Sequence, residues 1–189
     1  LVSSAYRGDR PLTTPMILRW LPCSLLLMGS LSAAETAERN ADDPAAPFDP
    51  VVQQIEGWTV HVDPALIDGE YAEQEGGRAL QMLGNHLERI AILMRPARLA
   101  QMQKLEIWIE REHPTLKSMQ YHPNIDWLKS HGHDPRLAKK VHISRAGALL
   151  DRQQMFKHPM VVLHELAHAY HDQVLGFDYP ALVEAYREA

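Results

Sequence analysis

Two histidines and a glutamate occur at the spacing His164-Glu165-Leu166-Ala167-His168. In an α-helix, residues i and i+4 lie one turn apart on the same face, so both imidazoles can reach one ion at about 2.0–2.1 Å. Glu165 lies about 100° round the helix, near the ion but not bound to it, where its carboxylate can take a proton from metal-activated water. The spacing therefore predicts metal ligands at His164 and His168 and a general base at Glu165.

The surrounding sequence predicts the helix that this spacing requires. Pro159 fits the first helical position, where its missing N–H is not needed, and Gly176 is typical of a residue that follows a helix end. From 161 to 170 the only polar side chains are those of the motif, which predicts a buried helix whose polar groups meet at one site. A bound cation would offset the cost of burying them. The alternative interpretation is a pair of hydrogen-bonded core histidines with a capped glutamate.

The composition limits what else the chain can be. The 189 residues are 46% hydrophobic and 23% charged, which is typical of one globular domain. A net charge of −5 without a Lys/Arg cluster argues against a nucleic-acid partner. The single cysteine, Cys23, excludes an internal disulfide framework and thiolate-rich structural zinc sites. Any metal must therefore be held by histidine and carboxylate.

The ten residues VVLHELAHAY at 161–170 resemble the active-site helix of the zinc metallopeptidases called zincins. Metzincins continue the motif as H-x-x-G-x-x-H, but His171 and Val174 occupy the last two of those positions here, which excludes that class. The run HELAHAYHDQ at 164–173 is most similar to the lethal-factor-like catalytic domain, a branch of the gluzincin type. This resemblance implies Zn²⁺ as the cofactor, a protein or peptide substrate, and hydrolysis of peptide bonds.

The third zinc ligand is left open by the sequence. Gluzincins take a glutamate from a later helix, and Glu184, sixteen residues after His168 on a predicted helix, is the plausible local candidate. It comes early for that spacing, and Glu184 and Glu188 also fit a solvated helix face. We expect the ligand to lie beyond Ala189, so that the chain is a C-terminally truncated fragment, and a fragment without the ligand need not be active.

The N-terminal residues have the pattern of a secretory leader. From Met16, one basic residue, Arg19, precedes a short apolar run that ends in Ser32-Ala33-Ala34. A membrane anchor is the alternative, but the run falls short of the roughly 20 residues that span a bilayer. We expect a secreted, periplasmic or cell-envelope protein with no stable membrane span after cleavage.

The predicted organisation has four parts: an upstream or non-native extension (1–15), the signal peptide (16–34), a flexible linker (35–50) and an incomplete zincin-like domain (51–189). Within the domain, periodicity predicts strands at Trp58–Val62, Leu105–Glu110 and Lys140–Ile143, and helices at 80–94, 146–156, 158–175 and from 180 onward. The expected fold class is α+β, a small mixed sheet with helices on one side, including the motif helix beneath it.

Two further interpretations concern binding. His131-Gly132-His133 could hold a second metal, although exposed loop histidines are the simpler interpretation. In zincins an edge strand above the motif helix pairs with extended substrate, so the resemblance implies that 141–143 or Leu105–Glu110 is that strand. The leading function is an exported zinc metallopeptidase. The alternatives are a non-catalytic exported metal-binding or envelope-associated domain and a hydrolase of non-peptide amides.

Overall fold

The computed structural model describes residues 47–188. The predicted upstream extension and signal peptide, and the linker up to residue 46, lie outside the described residues. No helix in this part of the chain is long and apolar enough to cross a membrane. The described residues form a mixed α+β fold built on one five-stranded sheet.

The sheet has the strand order β1-β2-β3-β5-β4. Its strands are β1 (Val51–Ile55), β2 (Trp58–Val62), β3 (Glu106–Ile109), β4 (Gln120–Tyr121) and β5 (Lys140–Ile143). β2, β3 and β5 are parallel neighbours, whereas β1 and β4 pair antiparallel at the two edges. The structure confirms the predicted strands β2 and β5 at their predicted bounds. The sequence missed β1 and β4, since β1 exposes much of both faces and β4 has only two residues.

β3 is a central strand rather than the half-buried strand that its alternation predicted. Ile107 belongs to the main core, whereas Trp108 faces the other side of the sheet and packs with Phe48 and Leu128. Both Trp108 and Glu110 are buried. A strand with neighbours on both sides and cover on both faces is largely buried. Glu110, which follows β3, is therefore paired with His142 instead of solvent, whereas the Glu106 side chain remains 43% exposed.

Six α-helices lie within residues 47–188: α1 (Gly77–Leu93), α2 (Pro96–Met102), α3 (Ile125–Ser130), α4 (Arg152–Lys157), α5 (Val161–Tyr170) and α6 (Pro180–Glu188). The predicted apolar stripe of α1 is confirmed, because Leu83, Leu87 and Ile90 are buried in the main core together with residues of α5. The expectation that all helices lie on one side is wrong. α3 covers the opposite face, where Leu128 packs with Trp108.

The predicted helix at 146–156 is interrupted at Asp151. Ala146–Leu150 forms a 3-10 helix, and α4 begins only at Arg152. The Asp151 carboxylate accepts hydrogen bonds from the backbone N–H groups of Gln153 and Gln154 at 2.8 and 3.1 Å. Asp151 therefore caps a new helix rather than continuing the old one.

The residues before the first strand contact the domain. Phe48 is buried, and its ring centroid lies 5.5 Å from that of Trp108. Arg136 donates a hydrogen bond to the Phe48 carbonyl at 2.8 Å and forms an ion pair with Asp49. Phe48 and Asp49, which the prediction places in the linker, thus contact the domain.

A cluster of histidines and one glutamate lies on the same side of the sheet as Trp108. His142 Nε2 is 2.5 Å from Glu110 Oε1, and His142 Nδ1 is 3.1 Å from His122 Nε2. The rings of His113 and His133 lie beside them. The centroid of the His113 ring is 5.5 Å from that of His142 and 5.4 Å from that of His133. A neutral His142 that donates to Glu110 can accept from His122, so the buried groups satisfy one another. Burial lowers the pKa of His122 to about 4 and that of His142 to about 3.

We expect the free energy of unfolding to fall as the pH drops from about 6.5 towards 4. An unfolded histidine binds its proton near pH 6.5, whereas His122 and His142 stay neutral in the fold until the pH is much lower. Across this window the unfolded state holds more protons, so stability that is complete above pH 6.5 is lost. Each of the two histidines lowers the free energy of unfolding by at most about 1.4 kcal/mol per pH unit.

Urea unfolding at pH 7, 5.5 and 4.5 measures this dependence. The His122→Gln variant keeps a donor towards His142 but cannot bind a proton, so its stability should depend less steeply on pH. The exposed His158→Gln variant should follow the parent chain. If the free energy of unfolding depended equally steeply on pH in the parent and in His122→Gln, the assignment of this dependence to His122 would be contradicted.

Candidate functional site

The motif helix is longer than α5 alone. α5 covers Val161–Tyr170, and a π-helical segment continues it over His171–Leu175. Gly176, with φ 80°, follows the last turn, which confirms the predicted end. The helix begins at Val161, later than predicted, because Pro159 lies in the turn that precedes it.

α5 buries one face and exposes the other. Val162, Leu166 and Ala169 are fully buried, whereas His164 and His168 are exposed. The expectation that both imidazoles are buried is therefore wrong, because the sheet covers only one side of the helix. The cost of desolvation falls on Glu165 alone, and an exposed pair does not fit the alternative of two core histidines.

The two imidazoles converge. His164 Nε2 and His168 Nε2 are 3.0 Å apart, and the ring planes are nearly perpendicular, at 84°. Two nitrogens bound to one tetrahedral zinc at about 2.0–2.1 Å would be about 3.3 Å apart. The pair thus fits a shared ion after a shift of a few tenths of an ångström. The same separation also suits a hydrogen bond between the rings when one Nε2 carries a proton.

Glu165 lies beside this pair and is fixed by the edge of the sheet. It is buried, with 9% of its surface exposed, and its Oε2 accepts a hydrogen bond from the Tyr121 N–H at 3.0 Å. Burial raises the pKa of Glu165, although His164, His168 and the Tyr121 amide each lower it in part. A carboxylate with a raised pKa is better matched to accepting and returning a proton near neutral pH.

The edge strand beside α5 is β4, not either of the strands that the sequence suggested. β5 (Lys140–Ile143) and β3 (Glu106–Ile109) are both paired on two sides and so lie inside the sheet. β4 contributes the amide of Tyr121 to Glu165. Two residues are too few for a periodicity signal, so the sequence offered no indication of this strand.

Within residues 47–188, no three or more His, Cys, Asp or Glu side chains are grouped so that they could hold a metal ion. Glu184 is exposed on α6 and is not brought into such a group with the two motif histidines. His131 and His133 likewise form no such group, and His131 stacks on Trp127 with centroids 4.4 Å apart. His171 packs edge-on against Phe177 at 5.2 Å.

Asp172 is a structural residue of the site that sequence reasoning did not identify as such. Its Oδ2 accepts hydrogen bonds from the Tyr121 hydroxyl at 2.5 Å and from Lys139 Nζ at 2.6 Å. Burial and the Asp172 carboxylate raise the pKa of Tyr121, which keeps its hydroxyl protonated as a donor. Tyr121 therefore contacts the helix twice, through its amide at Glu165 and through its hydroxyl one turn beyond His168.

We expect Asp172→Ala to lower the free energy of unfolding by about 1–3 kcal/mol, because it leaves the Tyr121 hydroxyl and Lys139 without their shared acceptor. The exposed Asp178→Ala variant is a matched control and should unfold like the parent. Urea unfolding at pH 7 measures both. If the two variants are equally stable, the Asp172 contacts do not hold β4 to the helix.

A cleft of about 560 Å³ opens beside His164 and Glu165. One wall is the segment 117–119 that leads into β4, and another is formed by residues 157–161 at the start of α5. Its volume is within the usual range for ligand-binding pockets. The cleft places the exposed imidazole and the buried carboxylate next to a space that a substrate could enter.

Comparisons of the chain with family models, curated proteins and solved structures give no match. The fold class is therefore defined by the structure alone, as a mixed α+β fold with a five-stranded sheet.

Proposed function

We propose that this chain is an exported, zinc-dependent metallopeptidase of the zincin-like, gluzincin type. The observation that carries the proposal is the convergence of His164 Nε2 and His168 Nε2, 3.0 Å apart, beside a buried Glu165 and an open cleft. The placement of α5 under a mixed sheet, with an antiparallel edge strand at Glu165, also supports it. Export rests on the leader-like residues 16–34.

In the proposed mechanism, zinc held by His164 and His168 would supply a Lewis acid that polarises the scissile carbonyl and activates water. Glu165 accepts the proton of the attacking water and then donates it to the leaving amine. The Tyr121 amide fixes Oε2 of Glu165. Oε1 has no hydrogen bond to the described residues, so it is the oxygen that exchanges the proton.

The proposal requires one more protein ligand. Catalytic zinc sites use three protein ligands and keep a fourth position open, and His164 and His168 supply two. The third comes either from Glu184, which would have to approach the histidines when zinc binds, or from a residue outside 47–188. This gap favours one alternative function, an exported domain that binds zinc without catalysis.

Incubation with casein and zinc, followed by mass spectrometry of new N-termini, separates the two functions. The peptidase should produce new termini that disappear when a chelator is added. A chain that binds one equivalent of zinc and yields no new termini would contradict the proposed activity and support the non-catalytic alternative.

A further inference from the structure

The cleft beside His164 is strongly basic. Lys117, Arg145 and Lys157 line it, and Glu165 is the only acidic residue among the described residues that do so. The whole chain has a net charge of −5, so this local excess of positive charge is opposite in sign to the rest of the molecule. Positive charge concentrated in a cleft attracts anionic ligands.

Two of these three cations have no fixed partner, whereas Lys117 also donates a hydrogen bond to the His113 carbonyl at 3.2 Å. The exposed side chains of Arg145 and Lys157 form no hydrogen bond or ion pair with any residue in the described part of the chain. Lys117 Nζ lies 3.2 Å from Glu112 Oε1, but both side chains are about half exposed, at 60% and 48%. An ion pair this exposed is weak and can be exchanged for another partner.

Arg145 has no direct ion-pair partner on its other side. It also borders a smaller cleft of about 300 Å³ that contains Glu75, Glu112 and Asp151. None of these carboxylates forms an ion pair or hydrogen bond with its guanidinium group. The fold therefore keeps Arg145 at the boundary of the two clefts without giving it a fixed partner.

We propose that this cleft binds a carboxylate of the peptide substrate, contributed by an acidic side chain near the scissile bond or by a free C-terminus. This inference rests on the proposed peptidase function. The planar guanidinium of Arg145 can donate two parallel hydrogen bonds to a carboxylate, and Lys157 adds a compact positive charge. A carboxamide has no charge and one acceptor oxygen, so a peptide with Gln should bind about 10–100-fold more weakly than its Glu counterpart.

A binding experiment tests the cleft without turnover. Zinc-loaded Glu165→Gln protein is titrated with two labelled peptides that differ only in Glu against Gln and have amidated C-termini. A second pair carries Gln in both members and differs only in a free against an amidated C-terminus. A preference of 10-fold or more in the first pair identifies a side-chain carboxylate, and in the second pair a terminal one.

Substitutions connect the preference to the named cations. Arg145→Gln and Lys157→Gln, each in the Glu165→Gln protein, should reduce the preference to a few-fold. Arg152→Gln is the matched control, because Arg152 is an exposed cation on the same helix as Lys157 but does not line the cleft. No preference in either pair, or a preference unchanged by both cleft substitutions, would overturn the proposal.

Cleavage by the unmodified chain separates this inference from the proposed function. The same peptides should show the preference in kcat/KM, and Arg145→Gln should reduce it. Cleavage of Glu and Gln peptides at equal rates, with either terminus, would overturn the carboxylate site while leaving the peptidase in place. Selective binding without any cleavage would retain the carboxylate site and contradict the peptidase.

Discussion

Glu165→Gln should lower kcat for peptide hydrolysis by about 10²–10⁴-fold, the usual contribution of a general acid–base group. Glutamine has nearly the shape of glutamate, and its side-chain oxygen can still accept the Tyr121 N–H that Glu165 Oε2 accepts at 3.0 Å. It cannot take a proton from water. The variant should therefore fold and bind zinc like the parent and lose only the chemical step.

Three measurements on the Glu165→Gln protein separate chemistry from folding: its unfolding midpoint, its zinc affinity and its kcat. Glu88→Gln, an exposed position on α1, is the matched control and should leave all three unchanged. A kcat for Glu165→Gln within a few-fold of the parent would remove Glu165 from the mechanism.

His164→Ala and His168→Ala should each weaken zinc binding by about 100-fold or more. A closed four-ligand zinc site binds with about 10–16 kcal/mol, which is about 3 kcal/mol per ligand when shared equally. Both side chains are exposed, so their removal should cost the fold little. The loss should appear in zinc affinity and activity rather than in stability without metal.

Competition with a zinc-binding dye measures these affinities. His171→Ala is a suitable control because His171 packs against Phe177 and, among the described residues, is not grouped with His164 and His168 as a possible metal ligand. It should bind zinc like the parent. Zinc affinity that survives the double substitution of His164 and His168 would place the metal elsewhere in the chain.

The sequence predicted the helices and strands that have a repeating pattern within one continuous stretch of the chain. The apolar stripe of α1 and the alternation in β2 repeat over enough residues to define a helix and a strand. The spacing of His164 and His168 needs only one helical turn to bring their side chains together, so the sequence sufficed to predict a converging pair.

The contacts around Glu165 depend on pairs that are distant in the chain. Tyr121 reaches Glu165 across 44 positions and Asp172 across 51, and β4, which carries Tyr121, has only two residues. Nothing in the local sequence distinguishes Tyr121 from any other loop tyrosine. Its role follows only from the antiparallel pairing of β4 with β5 at the edge of the sheet.

Local sequence also predicted poorly which side chains are buried. The run from 161 to 170 is apolar enough to suggest a helix buried all round, yet its two histidines are exposed. Conversely, His142 and Glu110 are polar and buried because they bind each other. Whether a side chain meets solvent depends on which elements cover it, and periodicity within one element does not report that.

Diffraction from crystals grown with zinc, recorded on both sides of the zinc absorption edge, would test the proposed site most directly. We predict one anomalous peak about 2.0–2.1 Å from both His164 Nε2 and His168 Nε2. A peak at another group of residues, or a zinc-soaked crystal in which the two rings remain hydrogen-bonded to each other with no peak between them, would contradict it.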